Sequence, residues 1–187
     1  MSEVREKGRI AKEASFALLN VSTEEKNEAL YLIAEKLLSE KDYLIQENTR
    51  DLKAGKEAGL TESVLDRIML NERRIEDMAE AIKLLIEMKD PIGEVLETIK
   101  KENGLFIQKK AVPIGVIGMI YEARPNVTVD AATLALKTGN AVVLRGSSSA
   151  KHSNEALVKV IHEALSQSAI PPAGIQLIED TSRETAK

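Results

Sequence analysis

Ile114-Gly-Val-Ile-Gly-Met-Ile120, then Pro125-Asn-Val-Thr-Val-Asp-Ala-Ala-Thr-Leu-Ala-Leu-Lys137, then Ala141-Val-Val-Leu-Arg145, decide the fold of this chain. The first segment is an unbroken apolar run of strand length. The second carries Pro at its first position, Ala131, Leu134, Ala135 and Leu136 at helical spacing, and Gly139 just past its end. The third is a second short buried strand. Further along, Leu157, Val160, Ile161, Ala164 and Leu165 place one apolar face on a helix over 154–167. Pro171-Pro-Ala-Gly174 then turns into a third strand over 175–178. Strand and helix alternating with connections this short predict an α/β fold, three parallel strands joined by right-handed crossovers. Thr181-Ser-Arg-Glu184 reads as the start of one more helix, so the sheet reads as the first part of a larger one.

Moving outward toward the N-terminus, the composition changes. Residues 1–111 carry 42 charged side chains, whereas residues 112–187 carry 14. Strands covered on both faces exclude charge, so the first part should wrap the second. Ser22-Thr-Glu-Glu25 has the form of a capping box, ahead of Leu30, Ile33, Ala34, Leu37 and Leu38 on one helical face. Asn71 caps a helix with Ile75, Met78, Ala79, Ile82, Leu85 and Ile86 in a stripe, which Asp90-Pro91 stops. Lys41 to Lys56 is helical in composition, broken by Gly55 and Gly59. Alternation over 95–101 and 105–109 around Asn103-Gly104 predicts a hairpin whose two turn residues both take positive φ. That hairpin is either a solvated arm or an edge that pairs with another subunit. The expected segments are helical over 1–90, a hairpin arm over 91–112 and a βαβαβ unit over 113–187.

Composition removes several function classes. The chain has 187 residues, 43% hydrophobic and 30% charged, with a net charge of −4. Without a basic excess or Trp, nucleic-acid binding lacks both its electrostatic and its stacking component. No stretch is apolar enough for a membrane span, and the charged start Met1–Glu13 lacks the apolar core of a signal peptide, so a cytoplasmic location is expected. There is no Cys, hence no thiol nucleophile, and two His residues are too few for a His-based metal cage. His152 and His162, ten apart without a partner motif, read as solvated helix positions. The Lys and Glu of the first part read as solvating helix faces.

Ligands of a parallel sheet sit beyond the carboxyl ends of its strands, where helix N-termini present N–H groups. Three loops lie there: Tyr121–Asn126, Arg145–Ser149 and Glu179–Ser182. In the second, Arg145 ends a strand, Gly146 permits close backbone approach, and Ser147 and Ser148 supply hydroxyls. The set suits a phosphate or ribose, or is simply a helix cap beside a surface arginine. No G-x-G-x-x-G follows any strand. Asn126 is either a capping residue or an amide donor aimed at a developing oxyanion. Arg124 is either a surface charge or an anion clamp.

Pro113-Ile-Gly-Val-Ile-Gly-Met-Ile-Tyr-Glu-Ala-Arg-Pro-Asn-Val-Thr-Val-Asp130, with Leu136-Lys-Thr-Gly-Asn-Ala-Val-Val-Leu-Arg-Gly-Ser147, closely resembles the gamma-glutamyl phosphate reductases. These are also called glutamate-5-semialdehyde dehydrogenases, within the aldehyde dehydrogenase superfamily. The helical lead-in, the Asn103-Gly104 hairpin and the Pro171–Gly174 turn fit the same family. The resemblance implies a Rossmann-like domain and NADPH-dependent reduction of L-glutamyl 5-phosphate to L-glutamate 5-semialdehyde and phosphate, in proline biosynthesis. It implies that Asn126 helps form the oxyanion hole, that Arg124 binds substrate, and that Arg145, Gly146, Ser147 and Ser148 meet NADP. Where the superfamily often has Pro-Ser-Glu, this chain has Gly146-Ser-Ser148. A Glu there repels a 2′-phosphate; Ser148 removes the repulsion and Arg145 adds donors. A homo-oligomer is implied, with glutamate 5-kinase as a partner that supplies the acyl phosphate.

One departure matters. The family's chemistry needs a Cys thiolate, and this chain has none. It therefore reads as the N-terminal portion of such a reductase, inactive alone. The alternative is a non-catalytic nucleotide-binding or interaction module built on the same half-domain.

Overall fold

The structure, a computed structural model, describes residues 2–182 and 185. Five helices come first: α1 (Glu3–Leu18), α2 (Thr23–Ser39), α3 (Lys41–Glu57), α4 (Glu62–Ile68) and α5 (Glu72–Glu87). An antiparallel hairpin follows, β1 (Val95–Lys100) with β2 (Phe106–Lys110). The remainder alternates: β3 (Val116–Ile120), α6 (Pro125–Lys137), β4 (Ala141–Arg145), α7 (Lys151–Leu165) and β5 (Ile175–Leu177).

The three strands form one parallel sheet in the order β3-β4-β5, as the alternation predicts. Val116 pairs with Ala141 and Ile120 with Arg145; Val142 pairs with Ile175 and Leu144 with Leu177. Two right-handed crossovers stepping the same way put α6 and α7 on one face. The other face receives α1, which packs on β3, β4 and β5. Helices α2, α3 and α5 then cover the outer sides of α6 and α7. Leu30, Ile33 and Leu37 of α2 thereby join Leu136, Leu157 and Leu165 of the crossovers in one buried cluster that also takes in Leu144 of the sheet. The caps behave as read: Ser22 and Glu25 exchange both capping-box bonds, and the Asn71 side chain accepts from the Arg74 N–H.

Several expectations need correction. The apolar run at 114–120 is not a strand covered on both faces: β3 is an edge strand, and Ile114 and Ile120 are 83% and 62% exposed. The hairpin turn has only one residue with positive φ, Gly104 at +85°. Lys101 N–H donates to the Leu105 carbonyl at 2.9 Å, and Gly104 N–H to the Lys101 carbonyl at 3.0 Å. This is a three-residue loop, Glu102 to Gly104, closed by a glycine bulge rather than a two-residue turn. Gly55 does not break α3. It lies within the helix so that Leu60 and Leu65 can press against it. Helix α7 starts at Lys151, three residues before the expected Asn154, and the short α4 carried no periodicity long enough to read. The helix expected from Thr181 is not formed at Thr181 and Ser182, and Arg183 and Glu184 lie outside the described residues.

The charges of the first part do more than solvate. The side chains of Lys26 and Asp90, 4% and 7% exposed, meet at 2.6 Å. Thr23 hydroxyl and Ile92 N–H also donate to Asp90, which fixes the root of the hairpin arm on α2. Lys137, equally buried, donates to the Asn27 side chain and the Ile86 carbonyl.

Candidate active site

The carboxyl ends of β3 and β4 are held together below the surface by a polar chain. Tyr121 N–H donates to the Arg145 carbonyl, extending the ladder by one bond. The Thr128 hydroxyl donates to Asn154 Oδ1 at 2.8 Å, so the Tyr121 hydroxyl must donate to Thr128 Oγ1, 2.7 Å away. Burial pushes the Tyr121 phenol up to about 12, against the opposing Thr128 bond, so it stays a neutral donor. A Cβ on Gly146 would run into the Asn154 amide and stand 3.2 Å from the Tyr121 hydroxyl. The close approach that Gly146 permits is therefore first of all to Asn154 and Tyr121.

Above this base, Asn126 is the second residue of α6 and caps nothing; Arg124 is the N-cap and offers no side-chain cap bond. The Asn126 amide faces solvent, with Asp130 Oδ2 at 3.4 Å one turn along the helix. Both line a cleft of about 450 Å³ closed by the end of α4 and the first turns of α5, with Arg67, Arg74, Arg124 and Asp77 on its walls. Burial raises the Asp130 carboxyl above the ordinary aspartate value, and the Asn126 bond only partly offsets this. Arg74 is committed, bonded to the Asp66 carboxylate and to the Asp66 and Met69 carbonyls. Among the described residues, Arg67, Arg124 and Asp130 make no ion pair. A second cavity of about 310 Å³ shares Arg67 and Arg124 with the first and reaches Ser147.

The β4 loop is arranged differently from the expectation of free helix N–H groups. The buried Asp51 carboxylate of α3 accepts the N–H of His152 and both the N–H and hydroxyl of Ser153, at 3.1, 2.7 and 2.6 Å. A protein carboxylate thus fills the N-terminus of α7 where an anionic ligand would otherwise sit. Arg145 is not a loose surface side chain: its Nη2 donates to the Thr181 and Ser182 carbonyls at 2.8 and 2.9 Å. Its buried Nε has no partner among the described residues. Ser147 Oγ accepts from Ser149 N–H, while Ser148 is exposed. His162 is half-buried, its Nε2 2.7 Å from the Ile175 carbonyl, and His152 is likewise only partly exposed.

The whole chain, residues 1–187, matches the aldehyde dehydrogenase family. The chain belongs to that family. It is 65% identical over all 187 residues to the gamma-glutamyl phosphate reductase of Bacillus subtilis, of which it spans 45%. It is also similar to the crystal structure of the Thermotoga maritima gamma-glutamyl phosphate reductase, with 45% identity, a TM-score of 0.96, and coverage of 98% of this chain and 44% of that one. The Saccharomyces cerevisiae gamma-glutamyl phosphate reductase gives 29% identity and a TM-score of 0.92, over 99% of this chain and 48% of that one. The aldehyde dehydrogenase chain described here thus spans less than half the length of these relatives.

In this aldehyde dehydrogenase chain the structure brings Arg124 and Asn126 to one cleft, and places Arg145, Gly146, Ser147 and Ser148 together on the neighbouring loop. Sequence reasoning missed Asp130, although its spacing of four from Asn126 on a helix was a usable signal. Arg67 and Asp51 offered none, since each arrives from a helix remote in sequence.

Proposed function

We propose that this chain forms part of an NADPH-dependent reductase that converts L-glutamyl 5-phosphate to L-glutamate 5-semialdehyde and phosphate in proline biosynthesis. The observation that carries this reading is the Asn126 amide, held at the start of α6 beside a charged cleft with only a long contact to Asp130. An uncommitted amide donor in that place suits the oxygen of an acyl group as it gains negative charge. Names of relatives support the substrate and the reaction. Arg124, beside Asn126 and without an ion pair among the described residues, is the clamp for substrate anions.

Bound NADPH supplies the hydride. The residues on the β4 loop fit a phosphorylated ribose: Arg145 keeps a buried Nε without a partner among the described residues, and Ser147 and Ser148 keep hydroxyl protons to donate. With no Cys in the 187 residues, the thiolate that displaces phosphate has to come from another segment, so this chain alone is inactive. The hairpin, exposed on Leu96, Phe106 and Ile107, is the arm that pairs copies in a homo-oligomer. A glutamate 5-kinase is the enzyme class that delivers the acyl phosphate, and the setting is the cytoplasm.

The test is a chimera in which this chain replaces the matching part of the Bacillus subtilis relative. With glutamate 5-semialdehyde and phosphate, it should reduce NADP. Asn126→Ala should lower kcat about 100- to 1000-fold, the cost of losing one oxyanion donor. An undiminished kcat overturns the assignment of Asn126.

A further inference from the structure

The cleft contains charges that the chemistry at Asn126 does not use. Asp130 is half-buried, makes no ion pair among the described residues, and has one long contact, to Asn126. Arg67, at the end of α4, lines the same cleft from the side opposite α6 and is also unpaired among the described residues. A carboxylate and a guanidinium lining one cleft, neither in an ion pair among the described residues, form the complement of a zwitterion.

The spacing sets which zwitterion fits. The Asn126 amide and the Asp130 carboxylate stand 3.4 Å apart on α6, so one hydrogen bond of about 3 Å from each reaches atoms about 5 Å apart. In a 5-acyl glutamyl group, four bonds separate the acyl carbon from the α-nitrogen, about 5 Å when extended. An acyl carbon held at Asn126 therefore brings an α-ammonium to Asp130, and the α-carboxylate turns toward the arginines of the opposite wall. Asp77 also lines the cleft, but it is exposed on α5, whereas Asp130 is half-buried one helical turn from Asn126.

We propose that Asp130 and Arg67 recognise the α-amino-acid end of the acyl substrate, Asp130 taking the ammonium and Arg67 the carboxylate. This rests on the reductase reading above and adds its specificity: acyl donors with a free amino-acid head are accepted, and simple dicarboxylate monoacyl donors are rejected.

The test titrates the 187-residue chain, followed by residue-resolved NMR, with three stable probes. These are γ-methyl L-glutamate, monomethyl glutarate, which lacks the ammonium, and methyl 4-aminobutyrate, which lacks the carboxylate. γ-Methyl L-glutamate should shift Asn126, Asp130 and Arg67 and bind about tenfold more tightly than either truncated probe, the loss expected for one charge-assisted contact. Asp130→Asn should erase the advantage over monomethyl glutarate, and Asp130→Glu should restore part of it. Arg67→Gln should erase the advantage over methyl 4-aminobutyrate. Equal binding of all three probes by the unaltered chain, or an advantage that survives Asp130→Asn, overturns the proposal while shifts at Asn126 leave the reductase reading standing. Absence of any shift at Asn126 with all three probes overturns both.

Discussion

At the scale of single residues, Gly146 and Arg145 lead to opposite kinds of experiment. Gly146→Ala adds one methyl where the Asn154 amide stands, so Asn154 must swing away and release Thr128. Overpacking of this kind should cost about 1–3 kcal/mol, read as a lowered urea midpoint with an unchanged slope. Arg145→Ala, by contrast, tests the nucleotide preference proposed for the β4 loop. In the chimeric reductase it should raise the KM for NADPH about tenfold or more, with a smaller effect on NADH, because one charge-assisted contact is lost. Ser148→Glu should tilt the ratio of specificity constants further toward NADH by repelling a 2′-phosphate. If both substitutions leave that ratio where it was, Arg145 serves only to hold the Thr181 and Ser182 carbonyls.

At the scale of elements, the informative parts are those tied by buried charge. Asp51 of α3 supplies the N-terminus of α7 with the acceptor that α7 does not carry itself. Asp51→Ala should leave two buried N–H groups unpaired and cost about 3 kcal/mol, seen as a fall in the thermal midpoint. The Asp90 latch gives a pH dependence. Burial alone would raise its carboxyl, but the Lys26 amine, the Ile92 N–H and the Thr23 hydroxyl outweigh it and hold it below the ordinary aspartate value of 3.8. Its contribution to stability is complete above that value and is lost as pH falls through the lower folded-state value. Lys137 works at the other end: burial, and less so Lys26, lower its amine from 10.5 despite Asp90. The unfolded chain then binds the extra proton, so stability should rise as pH climbs through the folded value toward 10.5. Asp90→Asn should flatten the acid limb of a stability-against-pH curve; an unaltered acid limb would show that the latch carries no net weight. None of this was legible in the sequence. Lys26, Asp51 and Asp90 look like any surface charge in a helix-rich segment, and only packing onto α7 and the arm root separates them from their neighbours. The caps at Ser22 and Asn71 were legible, because each is closed within four residues.

For the molecule as a whole, the parallel sheet and its two crossovers were readable because their signals are local: apolar runs, a helical stripe, Pro before and Gly after. The exposure of β3 was not, since whether an apolar strand is covered depends on what lies beside it rather than on its own residues. The cleft was legible on one wall only, the wall carrying Arg124 and Asn126. Across that cleft α5 packs against α6, so the first ninety residues and the sheet domain stand or fall together. The arm is the exception. Deleting residues 95–110 should leave the unfolding midpoint within a few degrees while abolishing association in sedimentation, because β1 and β2 are exposed along their whole length.

The contact between α1 and the sheet has a consequence for how the chain is made. Helix α1 packs on β4 and β5, and the Glu3 carboxylate accepts the N–H groups of Glu179 and Asp180, 176 and 177 residues away. On a ribosome adding about 5–20 residues per second, the apolar face of α1 waits roughly 10–40 seconds for its partners to emerge. Until then Ala11, Ala14 and Leu18 have at most β3 and β4 to bury against, without the turn at Pro172–Gly174 and β5. Helix α1 is fully seated only after β5 is made, and nascent chains stalled before residue 175 should hold a chaperone that chains stalled well beyond it release.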